Sequence, residues 1–379
     1  MLKITQCESG WAALQTAIGD MVSTPGVKGI MVLACERNGD VPDDFNQWLQ
    51  ALSTPVFGGV FPSLIAEGQC LESGNLVLGM ASPLDVYVVP SLSDAALDYD
   101  SFLNRTIPAD KLANTRTMFV FVDGLAPRVG SLIESLFNTF GLHGNFIGGG
   151  AGSLVTPQLR CLLTPQGVIR DAAVIAIPQL ASHVCVAHGW QPLAGPFEVT
   201  ESENNVILSL DWEPALQVYR QVIETHQGSP FDIADFSATA ASHPFGIARL
   251  NSEFVVRDPI AIRQDGGLIC VGDVPRGSSV YIMHGDLASL LAAARKVRQL
   301  ADAGSPTDAQ KGVDIFIDCI SRSLFMGDNI GQELQSVRYQ TRPQIGAFTL
   351  GEIANSEREY LEFHNKTAVV ATIWETSEA

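Results

Sequence analysis

One arrangement of residues recurs three times along the chain, and it constrains the fold more than any other feature. Each copy opens with an apolar run: Gly29-Ile-Met-Val-Leu-Ala-Cys35, Thr117-Met-Phe-Val-Phe-Val-Asp123 and Val313-Asp-Ile-Phe-Ile-Asp-Cys319. A stretch of helical periodicity follows. In the first copy Pro42 stands near its start, with Phe45, Leu49 and Leu52 on one face. In the second the face carries Leu132, Leu136 and Phe140, with Ile133 and Phe137 beside them; in the third it carries Ile330, Leu334 and Val337. A Gly-Gly or Gly-Ala pair comes next, in Pro55-Val-Phe-Gly-Gly59, in Asn145-Phe-Ile-Gly-Gly-Gly-Ala-Gly-Ser153 and in Pro343-Gln-Ile-Gly-Ala-Phe348. Strand-like runs at 75–80, 172–177 and 367–373 close the copies. The first glycine of each pair lies 23 (35 to 58), 25 (123 to 148) and 27 (319 to 346) residues beyond the opening run. Equal order at near-equal spacing predicts a β-α-β-β unit used three times. The opening runs lack polar alternation, as strands buried on both faces do. The expected fold class is therefore α/β of the mixed α+β kind, with mixed sheets packed by helices. Glycine at the second strand lets backbones approach closely or take positive φ, which suits a structural role first and a ligand loop second.

Between the second and third copies the sequence changes character. Gly189-Trp-Gln-Pro-Leu-Ala-Gly-Pro-Phe-Glu-Val-Thr200 is rich in Pro and Gly, then extended; Pro214 opens a helix over Ala215–Ile223. Gln227-Gly-Ser-Pro230 reads as a junction. Beyond it, 253–257, 268–271 and 279–283 look like antiparallel strands joined by Gln264-Asp-Gly-Gly267 and Pro275-Arg-Gly277 turns. A helix is expected over about 287–301, with Asp286 as its N-cap. With 379 residues the chain exceeds what one core usually organises. Two domains are expected: 1–225, holding two units and the extended segment, and 226–379, holding the antiparallel strands and the third unit.

The bulk charge excludes some partners. The formal net charge is −18, so nucleic acid and anionic membrane are disfavoured. No run approaches a membrane span, and the start lacks a signal-peptide pattern. Seven scattered cysteines without a CxxC pair fit reduced core residues. The cytoplasm is the expected compartment.

Several enzyme signatures fail. In Gly148-Gly-Gly-Ala-Gly-Ser153, Ser153 stands where the dinucleotide fingerprint needs its last glycine, and no Walker lysine follows. GxSxG and HExxH are missing. The expectation is a protein that is not an enzyme.

A set of stretches, in order, covers residues of about 28 to 373. They are Phe146–Ser153, Gly189–Leu193 with Val199-Thr200, Glu213–Tyr219, Pro244–Ile247 with Val256–Pro259, Asp318–Arg322, and Gly346–Ile353 with His364–Thr367. Together they resemble the FIST family, paired N-terminal and C-terminal domains of signal-transduction proteins. The resemblance implies a sensor of a small ligand, with amino acids among the proposals, reporting to a separate histidine kinase or cyclic-di-GMP enzyme. In this reading the chain is all sensor. It looks like the standalone members, some of which are haem proteins that sense nitric oxide, so haem b is an expected cofactor and nitric oxide the expected gas. A metal-free sensor of an amino acid or similar carboxylate is the alternative. A hydrolase using Ser321, Cys319 and a histidine is a third.

A haem needs an apolar slot and usually an axial histidine. His188 is the first choice for the iron, at the end of Val184-Cys-Val-Ala187 and before Gly189-Trp190. His243 and His143 follow, and Cys185 is an outside thiolate. A histidine bonded to backbone at a strand end is an equally good account of His188. Gly148, Gly149, Gly150, Arg257, Cys319, Arg322, Glu352 and Asn365 are the candidate ligand-binding residues. Arg322 and Glu352 interrupt apolar sequence, so each must be paired or face a cavity. An internal ion pair, with Glu352 the first partner for Arg322, competes with Arg322 gripping a ligand carboxylate in bidentate fashion.

Overall fold

The computed structural model describes residues 1–376 apart from 110, 112–114, 143, 156–158, 250–252 and 356–359. The three opening runs form strands Gly29–Cys35, Thr117–Asp123 and Val313–Cys319, and every residue in them is buried. Each pairs in parallel with its glycine strand: Val56–Phe61, Asn145–Ala151 and Gln344–Thr349. Each pairs antiparallel on its other side with its closing strand: Asn75–Met80, Ala172–Pro178 and Ala368–Glu375. The β-α-β-β unit is therefore present three times, in mixed sheets packed by helices. Gly58, Gly148 and Gly346 face Val32, Val120 and Phe316, the fourth residue of each opening strand.

The units are larger than the repeat in the sequence. Each begins with an outer strand, Leu2–Cys7, Leu84–Pro90 or Leu180–Ala187, paired antiparallel with the closing strand. Each also carries a β-hairpin after its glycine strand: Ser63–Ala66 with Gln69–Leu71, Leu162–Thr164 with Gly167–Ile169, and Glu352–Ala354 with Glu362–His364. These hairpins are exchanged. The hairpin of unit two extends the sheet of unit one, that of unit three extends unit two, and that of unit one extends unit three. The registers agree: Gly58 faces Leu163, Gly148 faces Ile353, and Gly346 faces Ile65. Three six-stranded sheets thus close a cyclic arrangement with approximate three-fold order.

Alternation is hidden in the opening strands because both faces meet apolar neighbours. Phe119 and Phe121 join a core shared with Phe57, Phe61, Ile315 and Ile317, while Met118, Val120 and Val122 pack with Leu132 and Leu136 of the helix Val129–Phe140. The glycines sit where no side chain fits. A Cβ on Gly58, Gly148 or Gly346 would stand 1.9, 1.8 or 1.8 Å from the carbonyl oxygen of Val32, Val120 or Phe316.

The third unit is interrupted after Leu180–Ala187. Residues of about 190–285 build an eight-stranded antiparallel sheet whose long first strand is Gln191–Glu203. This sheet packs with the helix Ala215–Gln227 around Tyr219, Phe231, Phe236 and Phe245. Residue 226 lies in the last turn of that helix. Strands appear at Val255–Arg257, Leu268–Cys270 and Ser279–His284, antiparallel as expected. The helix Leu287–Gly304 then returns the chain to unit three. Its N-cap is Asp286, whose carboxylate accepts from the Ser289 N–H at 2.8 Å. Among the described residues no helix is long and apolar enough to cross a membrane.

Candidate functional site

The end of the opening strand in unit three delivers polar residues into the protein interior. Asp318 is its last residue but one, and Arg322 sits one turn on, in the helix Ile320–Met326; neither has any exposed side-chain surface. Arg322 lies 3.2 Å from Asp318 through Nε and forms a second ion pair with Glu333 of the helix Ile330–Val337. Its Nη1 donates to the carbonyls of His188 (2.6 Å) and Lys366 (3.2 Å), and its Nη2 to that of Leu290 (3.4 Å). Nη1 and Nη2 are therefore hydrogen-bonded within the protein, and Nε is in ion-pair contact with Asp318. The carboxylate partners are Asp318 and Glu333 instead of Glu352. The reason is positional: Asp318 is at i−4 on the same turn, and Glu333 reaches in from the next helix.

Glu352 occupies the neighbouring compartment, in the exchanged hairpin strand opposite Gly149. Its carboxyl group meets the hydroxyl of Thr349 (3.2 Å), the N–H of Thr367 (3.2 Å) and the thiol of Cys319. Burial pushes Glu352 up to about 8, so the group is largely protonated near neutrality. Burial likewise raises Asp318 well above the ordinary carboxylate range. Four carboxyl groups, Asp258, Asp318, Glu333 and Glu352, share this region with two cations, Arg322 and Lys366. Lys366 is buried, takes positive φ (51°), pairs with Asp258 at 3.2 Å and lies over the Trp190 ring. The Asn365 amide beside it is buried with neither polar atom partnered among the described residues. Burial raises the Cys319 thiol well above its ordinary value, the reverse of what a thiolate nucleophile requires. Ser321 bonds Asp258.

The proton on Glu352 has a thermodynamic consequence. Its folded value lies above the unfolded one, so its contribution is present at low pH and is lost as pH rises towards about 8. Glu352→Gln keeps the shape and removes the ionisation. The variant is expected to gain stability relative to the parent as pH is raised from about 5 to about 8, read by urea denaturation across that range. A stability difference independent of pH would show that Glu352 is ionised in the fold.

The histidines fit a haem poorly in this arrangement. His188 is buried at the start of the inserted domain. Its Nδ1 accepts from the Trp190 N–H at 2.9 Å, which places any ring proton on Nε2, and Nε2 faces Glu253 at 3.3 Å. Burial lowers it to about 4, so the ring is neutral. Nδ1 is thus engaged, while Nε2, without a hydrogen-bond partner among the described residues, faces a carboxylate instead of an apolar slot. His243 is also buried, but its ring lies against those of His226 and His284, with centroids 5.4 and 4.9 Å away. Such crowding leaves no room for a porphyrin between them. His143 lies outside the described residues. The Cys185 thiol is 3.3 Å from His183 Nε2 on the strand Leu180–Ala187.

The other candidates divide between packing and a cavity. Gly149 and Gly150 admit the exchanged hairpin: a Cβ on them would stand 2.6 Å from the Gly351 carbonyl and 2.3 Å from that of Leu350. With Gly148 they are accounted for by backbone contact. Arg257 differs. It is buried, donates to the carbonyls of Asp273 (2.8 Å), Val256 (3.0 Å) and Phe363 (2.8 Å), and has no carboxylate within ion-pair distance among the described residues. It lines a cavity of about 520 Å³ together with Arg249, Glu134, Asp273, Glu362, Phe137 and Tyr360. Phe137 and Tyr360 form an aromatic pair across its wall, 4.7 Å between centroids. Of the candidates, then, Arg322, Cys319, Glu352 and Asn365 gather around one enclosed centre, against which the His188 carbonyl leans, and Arg257 stands at the cavity. Sequence reading missed Arg249, Asp273, Glu134 and Glu362. Charged residues on a loop or helix face carry no local signal that topology will turn them to one space.

A model of the FIST N domain matches residues 30–213, and a model of the FIST C domain matches residues 215–355. An uncharacterized protein of Methanocaldococcus jannaschii is similar at 20% identity over 240 residues, covering 56% of this chain and 45% of the relative. The chain thus spans less than half the length of that curated relative.

Proposed function

The chain belongs to the FIST family, whose domains are sensors in signal transduction, and from that premise we propose that it detects a small zwitterionic carboxylate of the amino-acid class in the cavity beside Arg257. The observation that carries the proposal is a buried guanidinium with no carboxylate within ion-pair distance among the described residues, at the wall of a 520 Å³ space. A desolvated cation gains most from a ligand carboxylate that completes its pairing. Glu134 and Asp273 supply acceptors for an ammonium group, Glu362 is paired with Arg249 at 2.7 Å, and Phe137 and Tyr360 form an apolar wall. The volume falls within the usual range for small-molecule sites.

The cavity's position suits signalling. Glu134 and Phe137 belong to unit two in the N domain, whereas Arg249, Arg257 and Asp273 belong to the C domain. A ligand held by both sides favours the arrangement of domains in which both sides reach it. The resemblance supplies the class of partner, a histidine kinase or cyclic-di-GMP enzyme. Haem and nitric oxide are left out of the proposal because His188 Nδ1 is engaged by the Trp190 N–H, its Nε2 faces Glu253, and His243 is crowded by two other rings.

Calorimetric titration with a panel of amino acids and short carboxylates tests the reading. Arg257→Met is expected to weaken binding roughly ten- to a hundredfold. Glu134→Gln, on an exposed position of its helix, is expected to weaken amino acids while sparing ligands that lack an amine. Absence of binding across the panel, unchanged affinity in both variants, or a Soret band after haem-replete expression would each overturn it.

A further inference from the structure

Three histidines distant in sequence converge at one end of the inserted domain. His226 lies in the last turn of the helix Ala215–Gln227, His243 follows the helix Phe236–Ser242, and His284 ends the strand Ser279–His284. Their rings are mutual neighbours, with centroids 5.4, 4.7 and 4.9 Å apart. One nitrogen from each can be chosen so that all three lie within 4.8 Å of one another. We propose that His226, His243 and His284 form a zinc site with a fourth position open to water or a small ligand.

The orientation of the rings carries the argument beyond proximity. His243 Nδ1 lies 2.9 Å from the Thr239 carbonyl oxygen. The Ser242 hydroxyl also lies 2.9 Å from Nδ1 but has the same carbonyl as its own acceptor at 3.1 Å; a carbonyl only accepts, so with that hydroxyl donating to it Nδ1 carries the proton and the lone pair falls on Nε2. That Nε2 is buried and has no partner among the described residues. His284 Nδ1 is buried and unpartnered in the same way, while the Ser242 carbonyl engages its ring. A backbone acceptor behind the ring and a free nitrogen in front is the arrangement that metal-bound histidines adopt. Simple packing of three rings leaves two enclosed nitrogens without partners, a loss of roughly 1–3 kcal/mol each; a cation bound to both removes it.

Ligand type and number select the ion. Three neutral imidazoles suit zinc among the common divalent ions, and sites with three protein ligands keep a fourth position for exchange. Bonds of about 2.0–2.1 Å require the donors to draw together by about an ångström. His226 is exposed and sits at a helix end, so its side chain can supply that movement. His226 also lines a cavity of about 480 Å³ walled by Leu193, Phe197, Val218 and Val222. The open position would therefore stand beside an apolar recess. This site is separate from the cavity at Arg257, and either assignment can fail without the other.

The test uses the whole chain, stripped with a chelator and reloaded with zinc alone. One zinc per chain is expected after desalting, and cobalt in its place is expected to give the intense visible absorption of a four-coordinate ion. His243→Ala should abolish both. His226→Gln, at an exposed position, should leave circular dichroism unchanged and weaken zinc by roughly a hundredfold in competition with a chromophoric chelator. Zinc should raise the Tm of the parent and not of His226→Gln. Retention well below one zinc per chain, or equal affinity in parent and His226→Gln, would overturn the assignment.

Discussion

Replacing Gly346 by alanine is expected to leave the chain without a cooperative unfolding transition, recovered mainly as insoluble protein. The added Cβ would lie 1.8 Å from the Phe316 carbonyl oxygen, far inside any van der Waals contact. Neither side can yield. Phe316 is held between Gly346 on one side and Val370 on the other, and Gly346 is itself held between Phe316 and Ile65 of the exchanged hairpin. Overpacking against side chains typically costs about 1–3 kcal/mol, because rotamers adjust; against a backbone fixed in two ladders the loss should exceed about 4 kcal/mol. That is a large part of the roughly 5–15 kcal/mol that holds a folded protein together. Gly58→Ala and Gly148→Ala should behave alike, since both meet the equivalent carbonyl. Gly331→Ala serves as the control. It lies exposed in the helix Ile330–Val337 with nothing within 4 Å of its Cβ, so a gain of up to about 1 kcal/mol is expected. Soluble, normally stable Gly346→Ala would mean that the three strands do not share this register.

The same glycines show how far the sequence could be read. Their near-equal distance from the opening strands revealed the three units, because a parallel pair with a packed helix between its strands constrains length and composition together. The exchanged hairpins left no such trace. Ile65, Leu163 and Ile353 each face a glycine of another unit, and that pairing depends on closure of the three-unit ring, not on any local pattern. The outer strand Leu180–Ala187 was harder still, since its partner Ala368–Glu375 lies beyond the inserted domain. At the candidate centre the burial of Arg322 was legible, because a charge in apolar sequence must be satisfied. Its partners were not: Glu352 was favoured by the motif it belongs to, whereas Glu333 arrives on a helix whose orientation only the fold defines. The three converging histidines fall in the same class. Nothing in the spacing of 226, 243 and 284 indicates that a helix end, a loop and a strand end meet.

Arg322→Met should destabilise the chain by about 3–5 kcal/mol, the cost of leaving buried carboxylates without their cation. The methionine fills much of the space, so the loss would come mainly from electrostatics and hydrogen bonding. Asp318 and Glu333 would both lose the guanidinium, and each already has one oxygen without a partner among the described residues. Three backbone carbonyls, those of His188, Leu290 and Lys366, would each lose a donor as well, that of Lys366 keeping the Trp190 Nε1 at 3.1 Å. These belong to the entry to the inserted domain, the helix Leu287–Gly304 and the turn before the closing strand. Arg322 thus ties the inserted domain to the third unit from within. Arg322→Lys retains one charge but cannot span five partners in one plane, so it should recover only part of the loss. Arg322→Met combined with Asp318→Leu and Glu333→Leu should recover more, since removing every member of a buried ionic group avoids the stranded charge. The triple variant also separates the two roles open to Arg322. If the guanidinium serves only the fold, amino-acid binding at the Arg257 cavity should persist in the triple variant at close to its parental affinity. If binding disappears while urea denaturation shows a stable fold, Arg322 takes part in ligand recognition, and the site must extend from the Arg257 cavity into the enclosed centre.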